Sequence, residues 1–144
     1  MCQQAKGDLK IERAPAGKGE VLAQRSILVV EDEVLIRLHL AEELRDAGYT
    51  VVEAADGHEA MKLLTSLNEI GLLLTDIRMP GSVDGIDLAR WVRGKFPEIK
   101  IVLVSAEYYP ETFAEFDAGF TKPIRMNELM RRVRQLLPQA EHGS

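Results

Sequence analysis

Short runs of Val, Ile and Leu recur along this chain, each followed by a stretch whose apolar residues fall at helical spacing, and no other feature restricts the fold so tightly. The runs are "SILVV" (26–30), "TVVEA" (50–54), "GLLLTD" (71–76) and "IKIVLVSA" (99–106). Between them, residues 33–48 place Ile36, Leu40, Leu44 and Ala47 on one helical face and stop at Gly48. Residues 56–67 bring Ala60, Leu63, Leu64 and Leu67 together, with Asp56 and Glu59 at the spacing of a capping box. Residues 84–96 turn Leu88, Trp91 and Val92 inward, and 125–137 carry a stripe of Met126, Leu129, Met130, Val133 and Leu137. From 106 to 122 the signal weakens; "PETFAEF" (110–116) predicts a short helix and "GFTK" (119–122) a short fifth strand. Strands alternating with helices argue for a parallel sheet covered on both faces, and continuous Val/Ile/Leu runs are what two-sided burial requires. Five such units fit a doubly wound α/β fold, in which ligands bind outside the carboxyl ends of the strands.

That rule directs attention to strand ends, and acids stand there. "VVEDE" puts Glu31 and Asp32 at the end of the first strand, and Asp76 closes the third. If those strands are neighbours, three carboxylates converge. Two unit charges 4 Å apart repel by roughly 4 kcal/mol at an effective dielectric near 20, so such a cluster calls for a cation. Hard oxygen ligands without paired His or Cys favour Mg²⁺. A plainer reading has Glu31, Asp32 and Glu33 capping the first helix, where negative charge is favourable; spacing alone leaves the two readings level. Ser105 ends the fourth strand and Lys122 the fifth. Singly, a turn residue and a solvated charge would explain them. Together with the acids they form the set that phosphoryl transfer to a carboxylate requires: a nucleophile, a metal, an ammonium and a hydroxyl donor.

"ILVVEDE", "LLLTDIRMPG…DG", "VLVSA" and "TKP", in this order, resemble the receiver domain of two-component response regulators over about residues 26–137. The resemblance implies a flavodoxin-like sheet with strand order 2-1-3-4-5. It implies Asp76 as phosphoacceptor, and Mg²⁺ held by Asp32, Asp76 and the backbone carbonyl of Arg78, with Glu31 assisting directly or through water. It implies that Ser105 and Lys122 contact the phosphoryl group. The implied donor is a histidine on a partner, either a sensor histidine kinase or a histidine phosphotransfer protein. The implied role is that of a signalling module, with limited self-phosphorylation from small phosphodonors and autodephosphorylation, rather than an enzyme. His39, His58 and His142 match no donor motif. Family geometry also implies that Arg78 and Glu107 stand at the mouth of the site. Either they pair over the phosphate and hinder water, or both point to solvent.

The chain departs from the family at two places. Only 17 positions separate Ser105 from Lys122 (122 − 105), so a shortened or irregular fourth helix is expected. Where receivers usually carry a switch aromatic, three residues before the lysine, this chain has Gly119, and Phe120 one place on faces the opposite way in a strand. Tyr108, Tyr109 and Phe116 are candidates to substitute, though core packing accounts for each. Residues 1–25, rich in Gly, Lys, Gln and Glu, read as a flexible leader, and 138–144 as a tail too short for an output domain. A stand-alone receiver is therefore expected, acting through a protein target, as a relay intermediate or as a phosphate sink, with dimerisation open. A net charge of −5 argues against nucleic acid, and the cluster Arg131, Arg132 and Arg134 reads as a solvated helix face. No stretch reaches the ~20 apolar residues of a membrane span. With Cys2 as the single cysteine, no internal disulfide forms and a cytoplasmic location is expected. Two other classes compete. A flavodoxin-like small-molecule binder needs a phosphate loop where this chain has acids, and an Asp-nucleophile hydrolase usually carries an acid/base at the position of Arg78.

Overall fold

A computed structural model describes residues 25–139. The leader up to residue 24, with Cys2, and the tail from residue 140, with His142, lie outside the described residues. Among the described residues, five strands alternate with five helices: β1 Ser26–Val30, α1 Val34–Asp46, β2 Thr50–Ala54, α2 Gly57–Ser66, β3 Ile70–Asp76, α3 Gly85–Lys95, β4 Lys100–Ser105, α4 Pro110–Glu115, β5 Ala118–Thr121 and α5 Met126–Leu136. The strands form one parallel sheet in the order β2-β1-β3-β4-β5. This is the expected doubly wound fold, and the strand order is the one that the resemblance implied.

Alternation along the buried strands divides the core into two layers. Ile27, Val29, Leu72, Leu74, Val102 and Val104 face α1 and α5, where Leu40, Leu44, Leu129 and Val133 meet them. Leu28, Val30, Leu73, Ile101 and Leu103 face α2 and α3, against Ala60, Leu64, Leu88 and Val92. A fully buried Leu contributes roughly 1.5–3 kcal/mol, so Leu28, Leu72, Leu73, Leu74 and Leu103 make the central strands a large part of the fold's apolar stabilisation. Both helices of this second layer begin with side-chain caps. Asp56 Oδ1 accepts from the Glu59 N–H at 2.9 Å, while the Glu59 carboxylate reaches past the cap to the Ala55 N–H at 2.8 Å. Asp84 and Asp87 form a full capping box at the start of α3 that the sequence reading did not anticipate, an Asp standing where Glu or Gln is usual.

The fourth helix is short, six residues, as the spacing predicted. It is fastened from outside. Arg90 of α3 grips Glu115 with two hydrogen bonds of 3.1 and 2.9 Å. Arg93 pairs with Asp117 at 2.9 Å, and the same Asp117 oxygen accepts from the Ile101 N–H at 2.8 Å. Of the three aromatic candidates in this segment, Phe116 is core, as expected. Tyr109 is half-buried with its hydroxyl engaged, and Tyr108 is not core at all: it is 71% exposed and only edges Phe113. Arg131 and Arg134 lie on the solvated face of α5; Arg132 folds back to the Asp117 carbonyl at 2.9 Å.

Candidate functional site

β3 is buried along its whole length and delivers Asp76 at its carboxyl end, 7% exposed. The turn after it is fixed by close backbone approach. The Ile77 N–H donates to the Val104 carbonyl at 2.9 Å, and the Gly85 N–H to the Ile77 carbonyl at 2.8 Å. A Cβ on Gly85 would stand 1.9 Å from the Asp76 carbonyl oxygen, so only glycine lets the start of α3 come this near.

β1, paired beside β3, brings the other acids in. Glu31 is 2% exposed; its N–H donates to the Ala54 carbonyl at 3.1 Å and one carboxylate oxygen accepts from the Glu33 N–H at 3.0 Å. Asp32 beside it is exposed. Glu31, Asp32 and Asp76 each offer an oxygen, and these lie within 4.8 Å of one another. Glu33 occupies the N-cap of α1 with no side-chain cap bond, so the plain capping reading covers only part of what Glu31 does.

From β5 comes the cation. The Lys122 N–H donates to the Ser105 carbonyl at 2.8 Å, which carries the residue one step beyond the strand. Its Nζ then donates to Asp76 Oδ2 at 2.9 Å and Glu31 Oε1 at 3.2 Å. A cis peptide joins Lys122 to Pro123. Ser105 is buried at the end of β4, and its Oγ accepts from the Glu107 N–H at 3.0 Å. All five side chains expected from the sequence therefore end at the carboxyl rim of the sheet.

The charges act on each other. Burial pushes the Glu31 carboxyl above its ordinary value; the Glu33 N–H opposes this, Asp76 reinforces it and Lys122 opposes it. Burial works against the Lys122 ammonium too, but its hydrogen bond to Asp76 and the attraction of Asp76 and Glu31 prevail and hold it above its usual range. Three carboxylates against one ammonium leave the cluster negative when ionised, and its donors are oxygens alone. That set fits a hard divalent cation such as Mg²⁺.

The model of the response regulator receiver domain matches residues 27–134. The chain belongs to this family. Receivers are the signalling domains of two-component systems, and this one is 34% identical to the sensor kinase CckA of Brucella abortus over 139 residues. That match takes in 92% of this chain and 14% of that protein. The transcriptional regulatory protein PdtaR of Mycobacterium tuberculosis is 36% identical over 124 residues, 83% of this chain and 60% of that one. The chain thus spans less than two thirds of these curated relatives. Among solved structures, the response regulator TrrA of Thermotoga maritima, in complex with Mg(2+)-BeF, has a TM-score of 0.72 and 38% identity, covering 78% of this chain and 98% of that one. The receiver domain of the hybrid histidine kinase CckA has a TM-score of 0.65 at 38% identity, with the same coverage. Among the described residues of the receiver, no helix is long and apolar enough to cross a membrane.

Two residues near the rim escaped the sequence reading. Phe113 of α4 fills the space above Gly119, its ring carbon standing 2.1 Å from where a Cβ would sit. Gly85 entered the sequence analysis only within the helix over 84–96 and the "DG" of the family motif, with no role of its own. The "DG" pair was a visible signal for close approach, whereas the Phe113–Gly119 contact has no local signature. Arg78 and Glu107 are both solvent-exposed and also paired, at 3.5 Å. The two readings of that pair are therefore not exclusive.

Proposed function

We propose that this receiver accepts a phosphoryl group on Asp76 from a phosphohistidine of a partner kinase or phosphotransfer protein. An Asp76 oxygen bonds to phosphorus as the phosphorus–nitrogen bond breaks, and the imidazole nitrogen leaves with the electron pair and takes up a proton. Lys122 neutralises charge on the transferred group, and the Ser105 hydroxyl turns to donate to it. Mg²⁺, held by Glu31, Asp32, Asp76 and the Arg78 carbonyl, would supply the remaining charge neutralisation. The change is passed on by protein contact. Val34, Leu35 and Leu38, all exposed on the first turns of α1 directly after the acids, offer an apolar row suited to such a contact.

One observation carries this reading: a nearly buried carboxylate at a strand end faces an ammonium at 2.9 Å and two further acids within cation-binding distance. Incubation with acetyl phosphate or phosphoramidate and Mg²⁺ tests it. Wild-type protein becomes labelled, while Asp76→Asn and the wild type in excess chelator do not. Full labelling of Asp76→Asn would place the acceptor elsewhere and end the proposal.

A further inference from the structure

Arg78 and Glu107 are each tied through their backbone to the site. The Arg78 N–H donates to Asp76 Oδ1 at 3.3 Å, and the Glu107 N–H to Ser105 Oγ at 3.0 Å. Their side chains meet at 3.5 Å across the gap between the β3–α3 and β4–α4 loops. By themselves these two long, exposed chains make a poor cover: an isolated surface ion pair is weak and mobile. A third residue changes that. The Tyr109 hydroxyl donates to Glu107 Oε1 and accepts a long contact from Arg78 Nη2 at 3.5 Å.

Tyr109 differs from its two partners in being anchored. It is half-buried, and its ring packs against the core layer beneath α3. It precedes Pro110, which narrows its backbone freedom, and its carbonyl accepts the first N–H of α4, from Phe113, at 2.8 Å. An aromatic side chain has few rotatable bonds to order, so it suits the fixed member of a network whose other members are flexible.

We infer that Tyr109 is a positioning residue for the lifetime of the phosphoryl group: its hydroxyl holds Glu107 and Arg78 as a cover that keeps water from Asp76. This inference rests on the phosphoryl-acceptor reading above. The reaction it slows is hydrolysis. A water oxygen bonds to phosphorus, the bond from phosphorus to the Asp76 oxygen breaks, the carboxylate is restored and inorganic phosphate leaves with the water's protons shared with solvent. Tyr109 touches neither phosphorus nor the attacking water and acts only through its two partners.

The test is the first-order decay of phosphoprotein after removal of acetyl phosphate, followed by phosphate-affinity gel in the wild-type chain, Tyr109→Phe, Glu107→Ala and the double variant. Tyr109→Phe keeps the ring and its packing and removes only the hydroxyl. It is expected to hasten decay roughly three- to tenfold, the effect of losing one ordinary hydrogen bond. In the Glu107→Ala background the same substitution is expected to add nothing, because the hydroxyl has lost the partner through which it acts. Unchanged decay in Tyr109→Phe overturns the inference. So does equal acceleration in both backgrounds, which marks a general loosening of the loop. Absence of any labelled wild-type protein would instead sink the acceptor reading, so the two failures are told apart.

Discussion

Gly85 lacks a side chain because the Asp76 carbonyl oxygen occupies the place where one would begin, 1.9 Å from an ideal Cβ. The colliding atom is backbone, so a larger residue cannot be relieved by a rotamer change. Gly85→Ala is therefore expected to lower stability by about 1–3 kcal/mol, the usual cost of overpacking a well-filled site. It should also slow labelling of Asp76, since the strand end that carries the carboxylate must move. Urea unfolding and acetyl phosphate labelling check the two halves; a variant with wild-type midpoint and wild-type labelling rate would refute the close approach. Asp76, Glu31, Asp32, Ser105 and Lys122 were each visible at or beside a predicted strand end but legible as a site only together, since singly a helix cap, a turn residue or a solvated charge accounts for most of them. The hydrogen bonds that join Lys122 to two of the acids, 46 and 91 residues away in sequence, were not legible.

At the scale of elements, α4 shows what a shortened crossover requires. Six residues cannot cover the end of the sheet with a long apolar face, and none of them is fully buried. Ion pairs to α3 hold its far end through Glu115, with Asp117 beyond it held the same way, and one ring does the packing: Phe113 lies in the slot left by Gly119. The loss of a side chain on the strand is thus matched by a gain from the helix. A non-additive pair of substitutions follows. Gly119→Ala in the wild type meets the Phe113 ring and is expected to destabilise by about 1–3 kcal/mol. In a Phe113→Ala background the same change finds empty space and should cost little, a coupling that thermal or urea unfolding of the four proteins measures. Equal costs in both backgrounds would show that the ring does not occupy the slot in solution. The sequence announced the short helix by counting residues between Ser105 and Lys122. Which aromatic would fill the gap depended on the angle at which α4 meets β5, and no local pattern encodes that.

Across the whole molecule, the first and last thirds of the domain are fastened by one buried hydrogen bond. The Tyr49 hydroxyl, just after α1, donates to the Leu137 carbonyl at the end of α5, at 2.8 Å and 88 residues away. Burial raises the Tyr49 phenol above its ordinary value of 10.0, with Arg134 partly offsetting it. The unfolded chain therefore loses this proton first as pH rises. The stabilisation is complete below about pH 10 and is lost as pH climbs through the folded-state value. Tyr49→Phe is expected to be less stable than wild type by about 1 kcal/mol at neutral pH. That gap should narrow above about pH 10 in urea unfolding curves, as the wild type alone gives up the contribution. A difference that stays constant with pH would show that the hydroxyl is not held in this bond.

The amino-acid sequence alone determined the layers, the succession of elements and, to within a residue, the end of each strand, because burial period and turn chemistry act over a few neighbouring residues. It also offered the residues at the rim as a set, since polar groups at the carboxyl ends of several buried strands fall on one edge of a doubly wound sheet. The strand order, with β1 between β2 and β3, followed from the family resemblance and not from periodicity; the tertiary structure bears it out and makes Glu31, Asp32 and Asp76 neighbours. Only the tertiary structure decided that Phe113 fills the space above Gly119 and that Tyr109 ties Arg78 to Glu107. Those contacts join segments far apart along the chain, and their geometry is set by how whole elements pack.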